Sequence, residues 1–213
     1  LRELNELVSR SCDKDHFYYV NRISFEEFLA ISNNIISTSA CLASPLNKLS
    51  QDHPMYMRLA RKYNFLEIQP HTIDEQVSFN QRLLSLSKEI GTPLIAGTDT
   101  HSSTQYMAEC RRVLLEAKNK SYGDEDTLDL TYKSYAELSD MFSKQGAIPE
   151  AEYIEAIDNT NLLIEMTDEI VLDTSIKYPI LYGTRENDSQ KFVETVEKKF
   201  KTSRSEERFS RNA

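Results

Sequence analysis

Leu94-Ile95-Ala96-Gly97-Thr98-Asp99-Thr100-His101 carries a short apolar run into a carboxylate and an imidazole two residues apart. In an extended chain, alternate side chains point the same way, so Asp99 and His101 can reach one metal ion together. Carboxylate oxygen and imidazole nitrogen suit Zn, Mn or Fe. A second reading stands beside this one: Asp99 caps the helix that follows, and His101 lies on the surface. Spacing alone does not separate them.

Cys41 closes an earlier β-branched run, Ile35-Ile36-Ser37-Thr38-Ser39. A thiolate there is a strong zinc ligand, whereas a free Cys more often packs as a small hydrophobe. His71 follows Gln69-Pro70 at the end of a third run, Phe65–Gln69. It either faces a phosphate or metal, or sits on a loop. Cys12, Cys110, His16 and His53 have no partner pattern and read as packing or surface residues. The acidic stretch from Asp124 to Asp129 lacks the central Gly and terminal Glu of an EF-hand and reads as a solvated turn. No phosphate-cradling glycine loop or nucleophile elbow is present, and five glycines leave little room for one.

These residues need elements to hold them. Apolar spacing predicts a helix over 1–10, and the box Ser24-Phe25-Glu26-Glu27 opens another that ends near Ile31. Further helices are expected from Pro45 to about Tyr63, from Asp74 to Ile90 with Gly91 as the stop, and from Thr104 to Lys118. Strands are expected at 35–39, 65–69 and 93–97. Their ends fall near positions 41, 69 and 97, two equal steps that suit consecutive βα units with parallel strands and helical crossovers. Such strands gather functional groups at their C-terminal ends. The periodicity says α/β and leaves a barrel and an open sheet as alternatives. Beyond Lys120 the pattern turns helical, over 134–142, 149–166 and 188–200, with an extended passage at Tyr178–Leu181.

The formal charge of −9 argues against a main nucleic-acid clamp within these residues. Three widely spaced cysteines without a C-x-x-C pair suit reduced thiols. No run is long and apolar enough to span a membrane, the opening lacks a signal-peptide core, and a cytoplasmic location is the expectation. The last ten residues, 204–213, resemble an in-frame translation of a sequencing adapter. With the missing initial Met, they suggest a partial gene read truncated at both ends. Setting that tail aside leaves the balance acidic.

In order along the chain, Leu4-Asn5-Glu6-Leu7-Val8-Ser9, Phe17-Tyr18-Tyr19 before Arg22-Ile23, and Ser39-Ala40-Cys41-Leu42-Ala43 resemble one family. So do Leu66-Glu67-Ile68-Gln69, Asp99-Thr100-His101 and Glu155-Ala156-Ile157-Asp158-Asn159-Thr160. The set, covering about residues 1–185, resembles the PHP (polymerase and histidinol phosphatase) domain of bacterial, or phage, DNA polymerase III alpha subunits.

The resemblance implies the later portion of a distorted (β/α)7 barrel over 1–120, and a mostly helical bridge toward the polymerase palm over 121–185. The start of the palm region would occupy 186–203. It implies metal ligation by Cys41, Asp99 and His101, the last two also catalytic in a phosphoesterase or 3′→5′ exonuclease site. It further implies Zn or Mn at that cluster, with Mg at a polymerase site outside these residues. Primer-template DNA, deoxynucleotides and replisome subunits would be partners of the full-length DNA-directed DNA polymerase, and the fragment alone would be inactive. The family's early His-x-His has no counterpart here. The Gly expected near Ala43-Ser44 is missing. Alternatives are a free-standing PHP phosphatase acting on histidinol phosphate or a nucleotide, and a non-catalytic PHP module that docks a separate exonuclease.

Overall fold

A computed structural model describes residues 1–123, 128–169, 171, 173–175 and 179–210, the last seven by backbone only. The chain divides into two units, Leu1–Asp168 and Glu169–Ala213. The larger unit mixes helix and strand. Its helices are α1 (Arg2–Ser11), α2 (Phe25–Leu29), α3 (Pro45–Lys48), α4 (Tyr56–Lys62), α5 (Asp74–Ile90), α6 (Gln105–Ala117), α7 (Tyr135–Gln145), α8 (Glu150–Asp158) and α9 (Thr160–Glu165). Strands β1 (Leu66–Ile68) and β2 (Leu94–Ala96) pair in parallel, Leu66 opposite Leu94 and Ile68 opposite Ala96.

The expected first strand survives as one parallel bridge, Thr38 to Phe65. The reason is local: Ser39 Oγ accepts the Glu67 amide at 2.8 Å, and Asn64 Oδ1 accepts the Ser37 amide at 2.9 Å. Side-chain oxygens thus take donors that a longer ladder would use. Three successive parallel segments remain, joined by helical crossovers. Among the described residues they do not close into a barrel, so the α/β reading stands in its coarser form.

Leu66 and Ile68 are fully buried on one face of β1, while Glu67 turns to the other. Helix α5 packs on both strands, α8 on β2, and α7 on α8. The core includes Leu59, Leu83, Phe79, Phe142 and Tyr153, the last two rings stacked 5.6 Å apart. Helix α5 matches its expected span, and Gly91 ends it at φ +76°, a conformation that carries a steric penalty with a side chain.

Two expected helices are divided. The stretch predicted from Pro45 to Tyr63 breaks over 49–55, where Ser50 Oγ and His53 Nδ1 accept the Asp52 and Met55 amides and Pro54 lacks an amide to continue. Near Asn159, α8 gives way to α9, and the Asn159 side chain donates to the Leu94 carbonyl at 2.8 Å. Residues 124–127 of the acidic loop, and Tyr178 of the extended passage, lie outside the described residues. The smaller unit holds α10 (Arg185–Ser210), longer than the expected 188–200. Its start is extended because Thr184 Oγ1 accepts the Asn187 amide, and Asp188 accepts the amides of Leu181 and Tyr182. Among the described residues, no helix is long and apolar enough to cross a membrane.

The capping box at Ser24 forms as expected, and Glu27 does more than cap. It also meets His16 Nε2 at 3.1 Å and Arg10 at 3.2 Å, while His16 Nδ1 lies 2.7 Å from Asp13. His16, which has no partner pattern in the sequence, therefore ties the turn after α1 to α2, beside the direct link from Arg10 of α1. Its hydrogen bond to Asp13 raises its pKa above the ordinary 6.5. The Ser24 amide, assisted by His16 and Arg10, lowers Glu27 to about 2. A raised imidazole pKa gives stability that is present below pH 6.5 and lost as pH climbs through the folded value. The lowered carboxylates work in the opposite sense, their contribution disappearing as pH falls from 4.5 toward about 2. Amide exchange over residues 10–27 is therefore expected to be slowest relative to intrinsic rates near pH 5–6. His16→Gln should remove the alkaline limb alone; an unchanged profile in that variant would dismiss the clamp.

Candidate metal-binding site at the strand ends

Asp99 and His101 lie beyond β2, and His101 Nε2 is 3.5 Å from Asp99 Oδ1. They meet by a route different from the extended one expected. Asp99 adopts φ +47°, so a left-handed turn rather than strand alternation brings the pair together. Asp tolerates this conformation better than most residues. The capping alternative for Asp99 is also resolved, because Thr104 Oγ1 accepts the Met107 amide at the start of α6.

Cys41 is half-buried at the end of the segment that pairs with β1, just after Ala40 at φ +57°. A left-handed alanine is strained by roughly 1–2 kcal/mol, so two of the three strand ends carry an unfavourable turn at a candidate ligand. Among the described residues, no group of three or more His, Cys, Asp and Glu side chains is arranged to hold one metal ion. The structure thus brings Asp99 and His101 together and leaves Cys41 outside a preformed three-donor set.

Three residues past β1 stands His71, as Asp99 stands three past β2, so the parallel register places them at matching positions. The sequence left His71 between a site and a loop; it is 4% exposed, and its Nε2 has no hydrogen-bond partner among the described residues. Burial pushes its pKa below the ordinary value, opposed first by the Asp99 carboxylate. Gln145 on α7 grips the His71 carbonyl at 2.5 Å and the Gln69 carbonyl at 2.9 Å. Asn80 on α5 holds both backbone groups of Gln69, accepting its amide at 3.2 Å and donating to its carbonyl at 2.7 Å.

Glu67 is the feature that sequence reasoning passed over. Its Oε2 accepts from Thr38 Oγ1 at 2.8 Å and its Oε1 from Gln69 Nε2 at 3.0 Å. A Cβ placed on Gly97 would lie 2.2 Å from Oε1. One carboxylate therefore spans all three parallel segments just below the candidate ligands. The available signal was a lone charge within the apolar run Phe65–Ile68. Beside the pair, His101 borders a cleft of about 350 Å³ along α6 that also contains Arg111, Arg112 and Lys120.

No family model matches the chain. It is similar to curated DNA polymerase III subunit alpha sequences: 26% identical over 168 residues to that of Borreliella burgdorferi, covering 72% of this chain. The corresponding figures for Helicobacter pylori strain J99 are 28% over 186 residues and 76% of this chain. The PolC-type DNA polymerase III of Lacticaseibacillus paracasei is 24% identical over 206 residues, covering 88%. The chain spans about 14% of the length of each of these relatives.

Proposed function

We propose that this chain is part of a DNA polymerase III alpha-type enzyme, with Cys41, Asp99 and His101 contributing to a divalent-metal site of its PHP domain. The observation that carries the reading is similarity to such subunits over 72–88% of the chain, coinciding with a carboxylate–imidazole pair at a parallel strand end. The donor chemistry fits. Two protein ligands about 2.0–2.1 Å from one tetrahedral zinc stand roughly 3.3 Å apart, close to the 3.5 Å between Asp99 Oδ1 and His101 Nε2. Thiolate, carboxylate and imidazole together favour Zn, while the oxygen and nitrogen donors also accept Mn.

When bound, such ions supply Lewis acidity and an activated water for phosphodiester hydrolysis, the chemistry of 3′→5′ proofreading. The chain's own residues orient the site: Glu67 aligns the strand ends, and Asn80 with Gln145 fixes the backbone through Gln69 and His71. Arg111 and Lys120 line the adjoining cleft and suit phosphate oxygens, while Arg112 there is already paired with Glu109 and Glu116. In the whole enzyme, primer extension would use Mg²⁺ at palm carboxylates outside these residues, with primer-template DNA, deoxynucleotides and replisome subunits as partners.

The test is made in the full-length parent. Asp99→Ala and His101→Ala should each lower bound Zn or Mn measured by elemental analysis, with any exonuclease activity falling in step. Full metal content in both folded variants would remove the ligand assignment.

A further inference from the structure

At His101 the chain meets a fourth extended segment. The His101 and Ser102 amides both donate to the Leu130 carbonyl, at 2.8 and 3.2 Å, and the Tyr132 amide donates to the Ser102 carbonyl at 3.0 Å. Ser102 and Thr131 form an isolated parallel bridge, and Ser102, Leu130 and Thr131 are all buried. One carbonyl thus fixes the backbone at His101, so its position bears on how the imidazole meets Asp99.

A single ammonium holds that segment. Lys133 Nζ donates to the Thr131 carbonyl at 2.8 Å and to Thr131 Oγ1 at 2.6 Å, and lies 3.0 Å from Asp129 Oδ1. Asp129 Oδ1 in turn accepts the Thr131 amide at 3.1 Å and the Thr131 hydroxyl at 2.7 Å. Three oxygens on two residues therefore surround the ammonium, and those residues flank Leu130 on both sides. The Lys133 side chain is only 7% exposed. Packing alone would be served by an apolar residue, whereas a buried charge is costly unless its partners are well placed. The charge also reaches the neighbouring strand end: burial, and after it the Lys133 ammonium, lower the His71 pKa against the opposing pull of Asp99 and Asp129.

We propose that Lys133 is a positioning residue for the candidate metal pair, its ammonium locking Asp129 and Thr131 so that the Leu130 carbonyl holds His101 beside Asp99. This role rests on the metal-site reading of Asp99 and His101, and it is exercised through the backbone rather than by ligation.

Amide hydrogen exchange on the 213-residue chain reads the hold directly and without metal. Lys133→Met keeps the length of the stem and removes the ammonium. In that variant, exchange at His101 and Ser102 should rise about tenfold relative to Leu66, the scale of one lost hydrogen bond. The Leu66 amide bonds the Pro93 carbonyl, away from the lock, so the ratio sets aside a general loss of stability. Thr131→Val should shift the ratio in the same direction, and it carries the test if Lys133→Met fails to fold. In the full-length parent, Lys133→Met should weaken Zn or Mn binding about tenfold, as expected of a group that orients a ligand. Lys133→Arg, charged but too broad for three such close acceptors, should fall between. An unchanged exchange ratio in both variants would overturn the proposal. So would unchanged metal affinity in Lys133→Met where Asp99→Ala loses metal. Metal binding unchanged in both of these would remove the site and its positioning residue together.

Discussion

Asn80→Leu is expected to destabilise the larger unit by about 3–5 kcal/mol, since each buried polar group deprived of its partner costs about 1–3 kcal/mol. Asn80 is completely buried and makes four hydrogen bonds: two with the Gln69 backbone, one from Gln76 Nε2 at 2.9 Å and one to Gln145 Oε1 at 2.9 Å. Leucine keeps the heavy-atom count and branching and so leaves no cavity, while its bulkier methyl groups add some overpacking to the loss of the polar network. Gln145 still bonds the Gln69 carbonyl, which leaves the Gln69 amide and the Gln76 side chain as buried orphans and the part-buried Gln145 Oε1 without its Asn80 donor. Denaturant unfolding followed by circular dichroism should show the midpoint falling, and melting should drop by roughly 10 °C for a unit of this size. A loss below about 1 kcal/mol would show that the network adds little to folding.

Gly97→Ala should cost about 2–4 kcal/mol, by displacing a carboxylate from its two partners and crowding the strand ends. Its added Cβ would meet the Glu67 side chain along three atoms, Oε1 at 2.2 Å, Cδ at 2.7 Å and Cγ at 2.9 Å. The tip of a free glutamate could swing aside cheaply. Here Thr38 and Gln69 hold it, and the Cγ contact lies close to the backbone. A double-mutant cycle separates steric from backbone effects: Gly97→Ala should be much less harmful in a Glu67→Ala background. Additive losses in the double variant would show that Gly97 matters for some reason other than its proximity to Glu67. Because both sites abut the candidate ligands, each variant should also loosen the arrangement of Asp99 and His101.

The local signals translated well wherever one residue's chemistry decided the outcome. Ser24 and Ser134 cap their helices with reciprocal glutamates, Thr104 caps α6, and Gly91 stops α5. The parallel pairing of β1 and β2 follows the even spacing of strand ends. Less legible were the breaks at 49–55 and Asn159. Both depend on side chains bonding to backbone, and at Asn159 the bonded carbonyl belongs to a strand 65 residues away. The shortened first strand has the same cause, Ser39 intercepting an amide of the neighbouring segment.

At the candidate site, the residue types Cys41, Asp99 and His101, and their place after apolar runs, were readable from order alone, because ligand chemistry resides in the side chain. How Asp99 reaches His101 was not. A left-handed turn sits where an extended chain was expected, and that conformation is set by what the backbone must join on either side. The roles of Glu67, Asn80 and His71 likewise depend on neighbours distant in sequence, and a hydrogen bond or an orphaned nitrogen exists only once those neighbours are assembled. Composition and spacing therefore determined the α/β class, the capped helix ends at Ser24, Thr104, Ser134 and Gly91, and the candidate donors. Tertiary packing decided which donors meet and which buried polar groups hold them, because burial and contact are properties of the folded assembly.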